Sequence, residues 1–269
     1  MDAPAPDESG ERPDFVNRRQ LLRLAGSVGL ASTVAACSGK PQMDSVSASA
    51  PGSRATATSP PSGPTAPAAT ALSTASAQLL CRDAWGARPA RSGGRRHTIT
   101  RMTLHHEAVV LGDNRDAPGR LRQDQRYHQD KLGWIDIAYH LGVDRNGNIY
   151  ELRSAEIAGD TATDYDTTGH FLVLCEGDFN QEVVSEAQLH GTALAFAWAA
   201  QTFGIATSTL AGHRDLAQTS CPGANLYAHI SSGDLKRRID DLVAAGAVDL
   251  RLFCGPDATA RVAAIEGGN

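Results

Sequence analysis

The sequence predicts a single α/β domain over residues 79–250, and three stretches carry that reading. Phe171 to Cys175 (FLVLC) is a short, fully apolar run of the kind expected in a central strand. Asn146-Gly147 sits between two apolar runs and signals a hairpin. Ser185-Glu186-Ala187-Gln188 fits a helix-opening capping box, and Leu189, Ala193, Phe196, Ala197 and Ala200 then recur as one apolar stripe.

The chain has 269 residues, 41% of them hydrophobic and 20% charged. A net charge of -5 gives no reason to invoke nucleic acid. The first eighty or so residues do not read as a globular core; roughly 190 remain, a normal size for one domain. Residues 1–37 read as an export signal. Arg18-Arg19 precedes an apolar run from Leu21 to Cys37, which Arg23 interrupts and Gly26 and Gly29 soften. It is too short and too mildly apolar for a permanent membrane span. It resembles a twin-arginine signal. Val34-Ala35-Ala36-Cys37 resembles a bacterial lipoprotein processing site, which would make Cys37 a lipid anchor and place the protein at the cell envelope. The alternative is an ordinary secretory signal with a coincidental cysteine. Residues 38–78 are mostly Ser, Ala, Thr, Pro and Gly, without an aromatic residue, and read as a disordered tether.

The domain opens on Trp85-Gly86-Ala87-Arg88-Pro89, an aromatic anchor followed by turn residues. Ile99 to Val110 reads as a strand with His105 and His106 near its end. Neighbouring strand residues point to opposite faces, so only one of the two can face a given site. Residues 119–131 suit a polar-faced helix with Leu121, Gln125 and His128 on one side, ending before Gly133. Trp134 to Val143 and Asn148 to Leu152 flank the hairpin turn. Gly177-Asp178-Phe179-Asn180 closes the FLVLC strand, and Gly204 ends the capped helix. Leu235 to Ala245 reads as the last helix, and residues 251–269 as a C-terminal tail.

The turn-rich loop from Gly212 to Gly223 holds His213 and Cys221. Either could bind a metal, but catalytic zinc usually takes three protein ligands and keeps one position open. His105 is the candidate third. The pieces Trp85 to Pro89, Leu104-His105-His106, Gly133 to His140, Gly177-Asp178-Phe179, Gly212-His213-Arg214 and Cys221-Pro222-Gly223 resemble, in order, those of the peptidoglycan recognition protein and type-2 amidase family. The resemblance covers about Arg82 to Leu226. It implies a central mixed sheet flanked by helices, with zinc in an open groove held by His105, His213 and Cys221. It places Tyr139 beside the metal and Thr219 where relatives carry Thr or Lys. It implies zinc-dependent hydrolysis of the amide between N-acetylmuramic acid and L-alanine, with peptidoglycan or muropeptides as partners. A monomer is expected, though the sequence does not fix the oligomeric state. Two alternatives stand beside the amidase reading. One is a tethered module that binds peptidoglycan without cutting it; the other is a zinc peptidase acting within the stem peptide.

Two positions depart from the family pattern. Glu107 stands where a small hydroxyl residue usually follows the two histidines, and reads either as a rim carboxylate or as a partner for a ligand histidine. Asp160 falls where many relatives have a groove-lining histidine. His106, His128, His140 and His170 read as structural or groove-lining, and His97, His190 and His229 carry no signal. Cys175 reads as a buried free thiol. Cys81 and Cys254 flank the domain and could form a disulfide in an envelope protein, a pairing that sequence leaves open.

Overall fold

The computed structural model describes residues 74–268. The expected export segment, Cys37 and all but the end of the expected tether lie outside the described residues. The elements run β1 (Ala75–Leu80), β2 (Arg101–His106), α1 (Ala117–Asp130), β3 (Leu141–Val143), β4 (Ile149–Glu151), β5 (His170–Cys175), α2 (Glu186–Phe203), β6 (Leu210–Gly212), α3 (Ala224–Ser231), α4 (Asp234–Ala245), β7 (Val248–Phe253) and α5 (Pro256–Glu266). The sheet has seven strands in the order β6-β2-β5-β3-β4-β1-β7. The β3–β4 hairpin is antiparallel and the other pairings are parallel. This is the expected α/β class with a mixed sheet flanked by helices. Among the described residues no helix is long and apolar enough to cross a membrane.

The apolar run at β5 follows from burial on both faces. Phe171, Val173 and Cys175 join one core with Phe196 and Ala197 of α2, while Leu174 joins a second core with Trp85, Leu121 and Val262. Parallel strands covered on both sides leave no position for alternation with polar residues. Each large side chain buried this way stabilises by about 1.5–3 kcal/mol. Half of the expected capping box forms: Ser185 Oγ accepts from the Gln188 N–H at 3.0 Å, but the Gln188 side chain turns inward and donates to the Val143 and Glu176 carbonyls instead of returning to the Ser185 N–H. Gly204, at φ 65°, closes α2 in the left-handed conformation. In the hairpin, Gly147 has φ 82°, and a Cβ there would lie 2.5 Å from the Ala187 carbonyl oxygen, so both conformation and space require glycine.

Several boundaries differ from expectation. The strand expected over Ile99 to Val110 is confined to Arg101–His106, the residues that pair with β5. The folded part begins before Leu79, because β1 starts at Ala75 and pairs with β7 along all six residues. Residues 251–269 are not a featureless tail: they complete β7 and form α5, which buries Ala258, Val262 and Ile265 beside Trp85 and Leu121. The helix at 234–245 is therefore not the last. Finally, of the apolar stretch 134–143, Leu141–Val143 alone is strand. The preceding backbone is held irregular by Asp136, whose buried carboxylate takes Arg82 at 2.9 Å, Gln125 Nε2 at 2.7 Å and the Ile137 N–H at 2.9 Å. Cys81 and Cys254, each one residue past the paired strands β1 and β7, are joined in a disulfide. Cys175 is free and buried.

Candidate metal centre

Strand register builds the centre. In the parallel β2–β6 pair, Leu104 lies opposite Gly212. The next residues, His105 and His213, therefore emerge together at the carboxyl end of the sheet, with ring centroids 4.7 Å apart. Ligands gather at that end in open parallel sheets. Alternation along β2 sends His106 to the other face, where it packs near Phe179 and its Nδ1 accepts from the Phe179 N–H at 3.2 Å. The 213–221 loop is closed by the Arg214 N–H donating to the Cys221 carbonyl at 2.9 Å. Asp215 secures its start by accepting from the Gly212 N–H at 2.8 Å. This returns Cys221 to the sheet, where its Sγ lies 3.7 Å from His105 Nδ1 and accepts from the His106 N–H at 3.4 Å.

One ligand atom each from His105, His213 and Cys221 can be chosen so that all three lie within 4.8 Å of one another. The donor set suits zinc in its chemistry as well as its spacing. Burial, with His213 alongside, lowers His105 well below the usual histidine value, and burial lowers His213 to about 4. Both imidazoles are therefore neutral and able to coordinate. Burial pushes the Cys221 thiol up to about 12. A metal cation would favour the thiolate, assisted by the His106 N–H.

Tyr139 stands beside the trio, its ring centroid 5.1 Å from that of His105. Burial, with Cys221 alongside, raises its phenol well above the usual value, so it remains a neutral O–H donor. Thr219 lines the same cavity, and its Oγ1 accepts from the Cys221 N–H at 3.2 Å. That contact fixes the cysteine-bearing turn, a task the sequence reading did not give it. The cavity has a volume of about 260 Å³ and is walled by Tyr127, Trp134 and Asp160 among others. It adjoins a second cavity of about 480 Å³ that shares Trp134, Asp160, Thr161 and Thr163 with it and adds Arg95 and Asp166.

His140, His128 and His170 serve the framework. His140 Nδ1 accepts from the Leu172 N–H at 2.9 Å, His128 Nδ1 accepts from the Ala138 N–H at 3.3 Å, and His170 Nδ1 lies 2.7 Å from Thr103 Oγ1. Asp160 accepts from Arg153 Nη2 at 2.5 Å. The buried Arg153 also donates to the carbonyls of Ile137 at 2.7 Å and Ala158 at 2.6 Å, tying the backbone before Tyr139 to the groove loop. Three residues escaped the sequence reading: Arg153, Thr163 and Tyr165. Thr163 Oγ1 lies 2.7 Å from His213 Nε2, and the Tyr165 hydroxyl 3.3 Å from His105 Nε2. No periodicity or motif marks them.

Glu107 is neither on the rim nor paired with a ligand histidine. Its side chain is 3% exposed and turns toward Glu176 and toward Asp124 of α1, with Arg120 Nε 3.5 Å away. Glu107 Oε2 and both Glu176 carboxyl oxygens are buried without a hydrogen-bond donor. Burial raises Glu107 to about 8 and Asp124 to about 7, and raises Glu176 well above the usual range. Folded values above unfolded ones mean that the native state retains protons the unfolded chain has released. This stabilisation is complete below pH 4.5, the ordinary glutamate value, and is lost as pH rises toward 8. The buried histidines, held below their ordinary value of 6.5 by burial, oppose this trend at lower pH, so the window above 6.5 isolates it: unfolding by urea is expected at lower concentration at pH 8 than at pH 7. Glu176→Gln is expected to flatten that dependence and to raise the urea midpoint at pH 8. An unchanged difference between the two pH values in the variant would count against the cluster as its source.

Fold and site together define an α/β domain with a metal-compatible His/His/Cys trio in a groove at the carboxyl ends of parallel strands. The N-acetylmuramoyl-L-alanine amidase family profile matches residues 95–224. Peptidoglycan-recognition protein LB of Drosophila melanogaster is 32% identical over 171 residues, covering 62% of this chain and 73% of that protein. The N-acetylmuramoyl-L-alanine amidase of Sus scrofa is 32% identical over 154 residues, covering 55% of this chain and 25% of that longer protein. Among solved structures, human PGRP-IBETAC in complex with glycosamyl muramyl pentapeptide aligns with a TM-score of 0.52 and 25% identity, covering 57% of this chain and 94% of that one. The chain belongs to the peptidoglycan recognition protein and N-acetylmuramoyl-L-alanine amidase family.

Proposed function

We propose that this chain is a zinc-dependent amidase that hydrolyses the bond between N-acetylmuramic acid and the L-alanine of the stem peptide. The observation that carries the reading is the convergence of His105, His213 and Cys221 within 4.8 Å, in a groove that also holds Tyr139. Family membership, and the muramyl pentapeptide bound by the human neighbour, support the substrate class. Zinc bound by these three residues would supply a Lewis acid and a water of pKa about 7. The remaining roles fall to the protein. Tyr139, held neutral, donates a hydrogen bond to the scissile carbonyl oxygen as negative charge develops on it. Thr219 holds the Cys221 turn through the backbone and presents its hydroxyl to the cavity. The adjoining cavity, with Arg95, Asp160 and Asp166, offers a polar channel for the stem peptide. By the same proposal, the export signal and a lipid at Cys37 hold the enzyme at the envelope.

Tyr139→Phe keeps the ring and removes the donor. It is expected to lower kcat by about 100-fold while zinc affinity stays at the parent value. Steady-state kinetics on a purified muropeptide, beside metal analysis, checks this; an unchanged kcat would remove Tyr139 from the chemistry.

A further inference from the structure

We propose that Thr163 and Tyr165, both on the 158–169 loop, are positioning residues that hold the Nε2 edge of each ligand histidine and so commit the Nδ1 atoms of both to the metal. The inference rests on the zinc reading above and concerns residues that reading does not need.

The geometry is specific. His105 turns Nδ1 toward Cys221 Sγ, 3.7 Å away, and its opposite nitrogen faces the Tyr165 hydroxyl at 3.3 Å. His213 has Nε2 engaged by Thr163 Oγ1 at 2.7 Å, which leaves Nδ1 as the nitrogen available for coordination. A neutral imidazole that gives one nitrogen to a metal carries its proton on the other, and that N–H needs an acceptor to fix tautomer and ring orientation. Each hydroxyl oxygen supplies one. Thr163 Oγ1 in turn lies 2.8 Å from Thr161 Oγ1, and the Thr163 N–H donates to Thr161 Oγ1 at 3.1 Å, so the acceptor is itself oriented. The Tyr165 ring is wedged among three imidazoles, with centroids 5.0 Å from His213, 5.3 Å from His170 and 6.5 Å from His105. The loop that lines the groove through Asp160, Thr161 and Thr163 is thus also the support of the metal ligands.

The test uses the full-length protein and measures zinc affinity by competition with a chromophoric chelator, beside the visible absorption of the cobalt(II)-substituted form. Thr163→Val and Tyr165→Phe are each expected to weaken zinc binding about tenfold to hundredfold and to shift the cobalt bands. Thr163→Ser, which keeps the hydroxyl, is expected to restore both, and thermal unfolding of the metal-free variants should match the parent. Parent-like affinity and cobalt spectra in both Thr163→Val and Tyr165→Phe would overturn the inference. So would a Thr163→Ser protein as weak as Thr163→Val. If the parent binds one zinc that Cys221→Ala loses, such a result leaves the zinc reading intact. A parent that takes no zinc sinks both.

Discussion

Cys221→Ala is expected to reduce stem-peptide release by more than about 10⁴-fold and to abolish stoichiometric zinc binding. The cysteine supplies the anionic member of the candidate ligand set, beside two neutral imidazoles. Its loss removes one of three protein ligands, the usual minimum for a catalytic zinc. The fold should survive, because the loop around it is closed by backbone bonds such as Arg214 N–H to the residue 221 carbonyl, which alanine retains. Metal analysis and circular dichroism of the purified variant separate loss of metal from loss of structure. A Cys221→Ala protein that still carries one zinc and still cuts would remove His105, His213 and Cys221 as the metal site.

The second large effect is expected from Cys81→Ala/Cys254→Ala. The bridge closes a loop of sequence separation 173 and locks the parallel β1–β7 pair at the sheet edge opposite β6 and β2. Cross-linking a loop of that order constrains the unfolded chain by about 4–5 kcal/mol, and native disulfides typically contribute about 2–5 kcal/mol. A loss of about 4 kcal/mol in a domain of this size lowers Tm by about 10 °C. Zinc content and the activity of the folded fraction at 25 °C should be preserved, since the bridge and the candidate metal centre lie at opposite edges of the sheet. Equal melting of the parent before and after reduction would show that the bridge contributes nothing.

What the sequence made legible was local. Ser185 and Gly204 bracket α2 through contacts within a few residues, and Asn146-Gly147 forms its own turn. The FLVLC run shows its burial directly. The β1–β7 pair was hidden because β1 (ASAQLL) is small and polar for most of its length, and its partner comes from the far end of the domain. Helix α5 is short and alanine-rich, and only its packing against Trp85 and Leu121 gives it a core role.

The site divides in the same way. His105, His213 and Cys221 stood out because their motifs survive in linear order. Register then explained why His105 rather than His106 faces the groove. Thr163 and Tyr165 were invisible, since a hydroxyl in a polar loop acquires a partner only when the loop folds onto the histidines. Glu107 was misplaced for a related reason. In the β2–β5 register His106 lies opposite Cys175, so Glu107 comes out beside Glu176, with Asp124 of α1 alongside. Nothing near Glu107 in the chain announces either neighbour.

The most direct test is mass spectrometry of muropeptides digested with the purified protein, with and without a zinc chelator. The expected result is free stem peptide beginning at L-alanine together with peptide-free N-acetylmuramic acid. Both products should disappear on chelation and return with zinc. Intact muropeptide at every zinc concentration, with binding retained, would contradict the amidase and assign the groove to recognition without cleavage.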